Sequence, residues 1–504
     1  MYSDGDVKVT EASHITFIEE QMTKQYSCEL TFGWLSAEAK TESYNQANRD
    51  SYHENQTKKF LELNPCIGKL FNNKKEKEDE DEEEETEETE LKVIRENKMF
   101  QMSRKSLGQA LLNYEIKEEL KEKGTLNEVK LGPLKSFGRH KSFKETRKEF
   151  FKSTDEERKK NLYKHTCYEG CKKRGCQRIS TFDGLWKIHH AICMWDNHTA
   201  YPASVTEFVP QVCPSEPEYG SAFCNIHARA VEGLKRPSQL RPFLKSCGTN
   251  GQKINKEDKS KIDRVLKQMA MKTNIEAKSV GVEQGTEELL RNEKLMNSMK
   301  LTLDEVEDCR KDVGENVKLR RYTRGILAAC SGGGHIWSFD VLYKSEGPLQ
   351  VSLLMIKYLM KRLAKTDPKH WSKHFVNYDN ICNVDRLKLL QGLLDLPEPF
   401  SSIWKDVGKV IDPLHIKNHK NPDCHIKYNP SKVKSEIPDA NLMVCEQTFS
   451  WLGKFKKILN SMPKYTQLFL LHRLVQRRNE YTQYCYSIGT RPMLPSVKFV
   501  KDSR

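Results

Sequence analysis

The sequence predicts an α/β fold for residues 301–495, and three observations carry that expectation. Two β-prone segments, 324–330 and 335–342, flank Ser331-Gly332-Gly333-Gly334, a spacing that suits a hairpin turn. An apolar series at helical spacing follows: Val351, Leu354, Met355, Tyr358, Leu359 and Leu363. A short β-like run, HFVNYDNIC, then places Asp379 at its end, where open α/β sheets present functional side chains.

Each element has a local reason. The glycine run looks superficially like a phosphate loop, but it lacks the following Gly-Lys-Ser/Thr and opens no helix, so a turn is the better reading. Ser345 is placed to cap the next helix, and Pro348 fits its first turn. Asp379 reads either as a metal ligand or as a cap for the segment beginning near Asn380. Glu446, in VCEQTFSWLGKFKKIL, reads either as a ligand or as a first-turn carboxylate favoured by the helix dipole. Strands, a helix, a strand ending in Asp and a late helix carrying Glu follow the order of a ribonuclease-H-like domain with helical insertions. Carboxylates brought together from such distant segments bind divalent metals for phosphoryl transfer.

Between those carboxylates lies HIKNHKNPDCHIKYNP, with His415-x3-His419-x4-Cys424. Histidines four apart on a helix face one way and can share an ion, although Asn421-Pro422 also permits a loop-borne site. Surface histidines beside lysines are the alternative, and Cys382 or Cys445 would complete a metal site. The stretch 447–486, divided at Pro463, carries Phe455, Leu459, Leu468, Leu471 and Val475 on an apolar side. Lys454, Lys456, Lys457, Arg473, Arg477 and Arg478 decorate the rest, as a backbone-tracking surface or as an ordinary solvated face.

Upstream, Cys167-x3-Cys171-x4-Cys176 is followed by Cys193, Cys213, Cys224-x2-His227 and Cys247. Thiolates this close converge on tetrahedral Zn²⁺ at about 2.3 Å each. The segment 166–248 therefore reads as a small zinc-stapled domain with two structural ions. Cys247 or one of His165, His189, His190 and His198 would supply an eighth ligand. Lys172, Lys173, Arg174 and Arg178 lie among the first ligands, an arrangement that suits phosphate contact. The remainder divides into a partly ordered region 1–71, an acidic tract 72–92, exposed charged helices over 93–165 and a helical connector 249–300.

At 504 residues the chain can hold two or three cores, but 37% hydrophobic residues leave much of it outside them. The net charge is +14; residues 76–90 hold twelve acids and one lysine, so the rest carries about +25. That excess suits a polyanion, most simply DNA. The chain has neither an apolar run of membrane-spanning length nor a basic-then-apolar N-terminal pattern. The expectation is an intracellular, nuclear or cytoplasmic protein without a membrane partner, its fifteen cysteines free or metal-bound.

YDNIC at 378–382, HIKNHKNPDCHIKYNP and CEQTFSWL at 445–452 together resemble the KDZ (Kyakuja–Dileera–Zisupton) transposases. The cysteine cluster resembles the CxC-type clusters fused to them. The resemblance implies a ribonuclease-H-like core in which two aspartates and a glutamate bind Mg²⁺ or Mn²⁺ for attack on DNA phosphodiesters. Asp379 matches the second aspartate and Glu446 the glutamate. The Asn-Phe pair that commonly follows the first aspartate is absent from this chain, so Asp312 is assigned there, with Asp308 and Asp340 as the other options. A metal-dependent transposase is one expectation. A domesticated, inactive copy that binds DNA, and a zinc-dependent protein-interaction adaptor, are the others. A second copy of the chain or a chromatin protein stands as a further partner.

Overall fold

The computed structural model describes residues 9–13, 16–19, 40, 104–125, 141–195, 212–250, 254–279, 321–343, 346–387, 390 and 396–493. The acidic tract, Asp308, Asp312, Ser345 and His198 lie outside them. The chain forms two compact units, Met1–Thr146 and Arg147–Arg504.

In the first unit, β1 (Val9–Ser13) pairs antiparallel with β2 (Thr16–Glu19), and α1 (Arg104–Glu122) packs on β1. Leu107, Ala110, Leu111 and Tyr114 are buried, which corrects the reading of this segment as an exposed helix. Their helical spacing makes one apolar stripe, and a stripe of that kind needs cover.

The helix α2 (Lys141–Lys160) enters the second unit at Arg147, and it and α3 (Glu169–Lys173) precede β3 (Ile179–Leu185). Next come α4 (Asn225–Gly233), α5 (Leu240–Ser246) and α6 (Lys256–Ser279). Strands β4 (Gly325–Ser331) and β5 (Ile336–Leu342) form the expected hairpin and lead to α7 (Pro348–Leu363). The rest runs β6 (Phe375–Asn377), α8 (Ile381–Asp385), α9 (Ile403–Asp406), β7 (Gly408–Val410). Helices α10 (Pro422–Lys427), α11 (Ser431–Glu436), α12 (Val444–Leu452), α13 (Lys456–Leu459) and α14 (Lys464–Ser487) close the unit.

The five strands form a mixed sheet in the order β5-β4-β3-β6-β7. β3 and β5 flank β4 antiparallel, while β6 runs parallel to both β3 and β7. Both faces are covered, which is why the strands are apolar on both sides. On one face Phe182, Leu327, Trp337 and Val376 join the stripe of α7, whose Tyr358 hydroxyl lies 2.8 Å from Ser180 Oγ. On the other, Ile179, Phe375 and Val410 pack with Val433, Ile437 and Leu442, and Cys445 of α12 donates to the Thr181 carbonyl over 3.2 Å.

The central strand β3 therefore comes from 179–185, inside the segment read from sequence as a separate zinc domain. The zinc-type cluster is divided between the approach to β3 and the insertion between β3 and β4. In that insertion Phe223, Phe243 and Leu244 make an apolar cluster with Ile262, Leu266 and Met269 of α6. That helix belongs to the cluster's core instead of connecting two domains.

Two smaller expectations also change. Gly347 is the N-cap of α7, with Pro348 in its first turn. Arg473 is buried, and Arg478 sits between Trp451 and Tyr481 at 5.4 and 5.2 Å from their ring centres. Arg478 thus packs on aromatic rings and the buried Arg473 donates to Gln476 Oε1 at 2.9 Å, so neither is available as a backbone-tracking surface. Among the described residues, no helix is long and apolar enough to cross a membrane.

Candidate active site and metal centres

The parallel pairing of β3 with β6 fixes the first group of side chains. Thr181 pairs with Asn377, the last residue of β6, and Asp379 follows two residues later in the turn after that strand, close enough for its charge to bear on Asp183. Asp183 lies in the carboxyl-terminal half of β3 and Asp379 just beyond the carboxyl end of β6, beside the point where pairing switches from antiparallel to parallel. Asn377 Nδ2 donates to the Leu442 carbonyl over 2.8 Å, which anchors the approach to α12 against β6 and directs Glu446 toward the same end.

Glu346, just before α7, is the fourth carboxylate. It accepts from the Tyr378 hydroxyl at 3.0 Å and from Trp186 Nε1 at 2.6 Å. A Cβ on Gly184 would run into Glu346 Oε2, so glycine at this position leaves room for that carboxylate. All four are half-buried. The pKa of Asp183 is pushed well above the usual carboxylate range, by burial first and then by Asp379, Glu346 and Glu446. The charges that bear most on Asp183 are all of its own sign, so they add to burial in disfavouring its ionised form.

His415 borders this cluster. Its Nδ1 lies 2.7 Å from Asp412 Oδ2 and its Nε2 lies 3.8 Å from Glu446 Oε1. The hydrogen bond to Asp412 raises its pKa.

Three Cys/His groups have ligand atoms all within 4.8 Å of one another. The first is His165, Cys167, Cys171 and Cys176, with Cys167 and Cys171 Sγ 3.8 Å apart and His165 Nε2 3.2 Å from Cys171 Sγ. Two thiolates on one tetrahedral zinc stand about 3.8 Å apart, from bond lengths of ~2.3 Å. This group lies under the β4–β5 turn: a Cβ on Gly333 would stand 3.1 Å from Cys171 Sγ, and one on Gly332 only 2.0 Å from the Arg174 carbonyl. The glycine run thus admits the cysteine loop, and the Tyr486 hydroxyl donates to the Gly333 carbonyl at 2.9 Å.

The second group is Cys193, Cys213, Cys224 and His227. Cys213 and Cys224 Sγ are 3.9 Å apart, and His227 Nδ1 lies 3.3 Å from Cys224 Sγ and 3.5 Å from Cys193 Sγ. Trp195 stacks on the His227 ring at 4.8 Å. Cys247 is buried in the same apolar cluster outside the ligand group, and burial raises its pKa. The third group joins Cys382, His419 and Cys424.

The structure thus brings Asp379 and Glu446 together as the sequence suggested, and it unites Cys167, Cys171 and Cys176 in one group and Cys193, Cys213, Cys224 and His227 in another. His419 and Cys424 meet Cys382, whereas His415 turns to Asp412 and Glu446 instead of joining them. Asp340 lies on β5 among Arg158 and Lys361, away from the acidic cluster. The carboxylate beside Asp379 is Asp183, which sequence reasoning missed, together with Glu346. The β-branched and aromatic run ISTFDGL, ending at Asp-Gly, was the available signal for it. The basic residues near the first group have internal uses: Lys172 pairs with Glu169 at 2.6 Å, and Arg178 pairs with Glu436.

Comparison of the chain with protein-family models, with curated proteins and with solved structures found no match.

Proposed function

We propose that the second unit is a ribonuclease-H-like, KDZ-transposase-type DNA strand-cleaving and joining domain, and that Asp183, Asp379 and Glu446 are its metal-binding carboxylates. The carrying observation is Asp183 on the central strand beside Asp379, Glu346 and Glu446, its carboxyl driven toward the neutral form by burial first and then by those three charges. The strand order, with an antiparallel trio continued by two parallel strands, supports the same reading. So does the arrival of Glu446 on a late helix laid across β3.

The donor set fits hard divalent cations such as Mg²⁺ or Mn²⁺: oxygen ligands only, half-exposed, with excess negative charge. When bound, such ions polarise the scissile phosphate and lower the pKa of an attacking water or 3′-hydroxyl. The chain's own residues prepare that place. Asp183 and Asp379 present oxygens from adjacent strands. Glu446 closes the cluster from the helix side. Glu346, held by Tyr378 and Trp186, keeps an orientation that does not depend on a metal. His415, fixed by Asp412, places a ring edge beside Glu446, where it limits the swing of that carboxylate.

The two four-ligand Cys/His groups are compatible with structural zinc, and we assign Zn²⁺ to both. The first fastens α3 and the approach to β3 under the β4–β5 turn; the second supports the insertion. DNA is the partner proposed for the strongly basic remainder of the chain.

The test is nicking of supercoiled DNA in Mn²⁺ by the wild type, Asp183→Asn, Asp379→Asn and Glu446→Gln. Activity in the wild type and loss in all three variants is expected. An Asp183→Asn protein as active as the wild type would overturn the assignment. Wild-type inactivity with intact, salt-sensitive DNA binding would leave a binding protein that retains only the fold.

A further inference from the structure

Cys382, His419 and Cys424 come from three separate places: the first turn of α8, the end of the 3₁₀ turn Ile416–Asn418, and α10. Cys382 and Cys424 are buried in the main apolar core, and the half-buried His419 stands beside them with its ligand nitrogen within 4.8 Å of both sulfurs. Cys382 Sγ lies 3.6 Å from His419 Nδ1. Two ligands of one tetrahedral zinc, one S and one N, stand about 3.5 Å apart on ordinary bond lengths.

The tautomer of His419 agrees. Its Nε2 is 3.0 Å from the Asp379 carbonyl, and a carbonyl can only accept, so Nε2 carries the proton. The neutral ring then offers the Nδ1 lone pair to the side of the two sulfurs, as a metal ligand must. The backbone is prepared as well. His425 Nε2 donates to the His419 carbonyl at 2.7 Å. The Asn421 side chain accepts from Asp423 N at 2.9 Å and so starts the helix that carries Cys424.

We propose that Cys382, His419 and Cys424 hold a third zinc ion, with water as fourth ligand, and that this ion positions Asp379 through the His419 Nε2–H to Asp379 carbonyl hydrogen bond. Metal-ligating histidines commonly use their second nitrogen in this way, toward a carboxylate or carbonyl that fixes the ring. Here the same bond acts in the other direction: the ion fixes the ring, and the ring fixes the peptide of Asp379. Cys382, three residues beyond Asp379, closes the short loop from the other side. His419 is in this sense a positioning residue. The ion site stands on its own geometry; its consequence for catalysis rests on the carboxylate reading above.

The test uses the full-length protein purified without chelator. Zinc is counted by elemental analysis, hydrogen–deuterium exchange is followed across residues 376–386, and Mn²⁺ binding is read from the free-ion electron paramagnetic resonance signal. The wild type should hold three zinc ions, one for each group. Cys382→Ser and Cys424→Ser should each hold one fewer. Both should exchange faster at 376–386 with β3–β5 unchanged, and should bind Mn²⁺ about tenfold more weakly. His419→Cys keeps a ligand but removes the hydrogen bond, so it should retain the third ion and still show the faster exchange.

Equal zinc in the wild type and both serine variants would overturn the site. Loss of one zinc with unchanged exchange at 376–386 would overturn the link to Asp379. If a serine variant fails to fold, His419→Cys decides: wild-type exchange in that variant contradicts the proposal. Failure of the carboxylate reading would show separately, as a wild type that binds no Mn²⁺ while the zinc count and the exchange behave as expected.

Discussion

Two aspartates in the second unit lose solvent and respond in opposite directions. Asp155, on α2, stands 2.7 Å from Arg158 and 2.6 Å from Lys159, and these two cations outweigh the effect of burial and hold its pKa down at about 2. Asp183 meets carboxylates where Asp155 meets cations, and burial together with those charges drives its pKa up. The first aspartate is complete within the chain. Arg158 also lies 3.8 Å over the Phe339 ring, so the pair joins α2 to β5. None of the charges that bear most on the second is positive. A lowered pKa here marks an internal tie, and on the function proposed above the raised one marks a place for a ligand.

Replacing each carboxylate separates the two roles, and the largest effect should fall on activity. Asp183→Asn should lower Mn²⁺-dependent nicking by about 10³-fold or more, the rate equivalent of several kcal/mol of metal-borne stabilisation. The same variant should unfold no more easily than the wild type, as measured by denaturant titration. Asp155→Asn should do the reverse: it strands the buried Arg158 and costs about 3–5 kcal/mol of stability. A normal nicking rate per folded molecule would accompany that loss.

The pH dependences should also oppose each other. Asp155 has its pKa depressed when folded, so its contribution is fully present above the ordinary aspartate value of about 4. It is lost as the pH falls through about 2, a change of about 2 kcal/mol. Asp183 has its pKa raised, so in metal-free protein its contribution is fully present below about 4 and is lost as the pH rises through its own higher value. Unfolding followed across pH in wild type, Asp155→Asn and Asp183→Asn should lose one arm of the profile in each variant. Equal profiles in all three would contradict the assignments.

Two glycines give the smallest and most local version of the contrast. Gly332→Ala drives a Cβ into the Arg174 backbone, which cannot give way without moving the cysteine loop. It should cost about 1–3 kcal/mol and loosen zinc in the first group. Gly184→Ala meets the end of the Glu346 side chain, which can swing away. Stability should change by less than about 1 kcal/mol, while nicking falls about tenfold or more through misplacement of the carboxylate. A stability loss as large as that of Gly332→Ala would mean that Glu346 serves the fold.

Much of the sheet was legible because its signals are local. The β4–β5 hairpin announces itself by two apolar segments around glycines, α7 by its period, and β6 by a short run ending at Asp379. The central strand was not legible in the same way. β3 lies far from β4 in sequence, and the intervening cysteines claim the segment for a metal-bound module. Only pairing with β4 and β6, a long-range event, shows that ISTFDGL is the middle of the sheet. The ligand types were readable, whereas their partition was not. His415 and His419 both precede Cys424 at short spacing, and the presence of Asp412 three residues before His415 settles where that ring turns.

The most direct test of the central claim is thermal unfolding of wild type and Asp183→Asn at pH 7.5, with and without Mn²⁺ at a hundred times its half-saturating concentration. The wild type should gain about 2.7 kcal/mol from a single occupied site, and Asp183→Asn should gain little. Equal stabilisation of the two proteins would contradict a cation site built on Asp183.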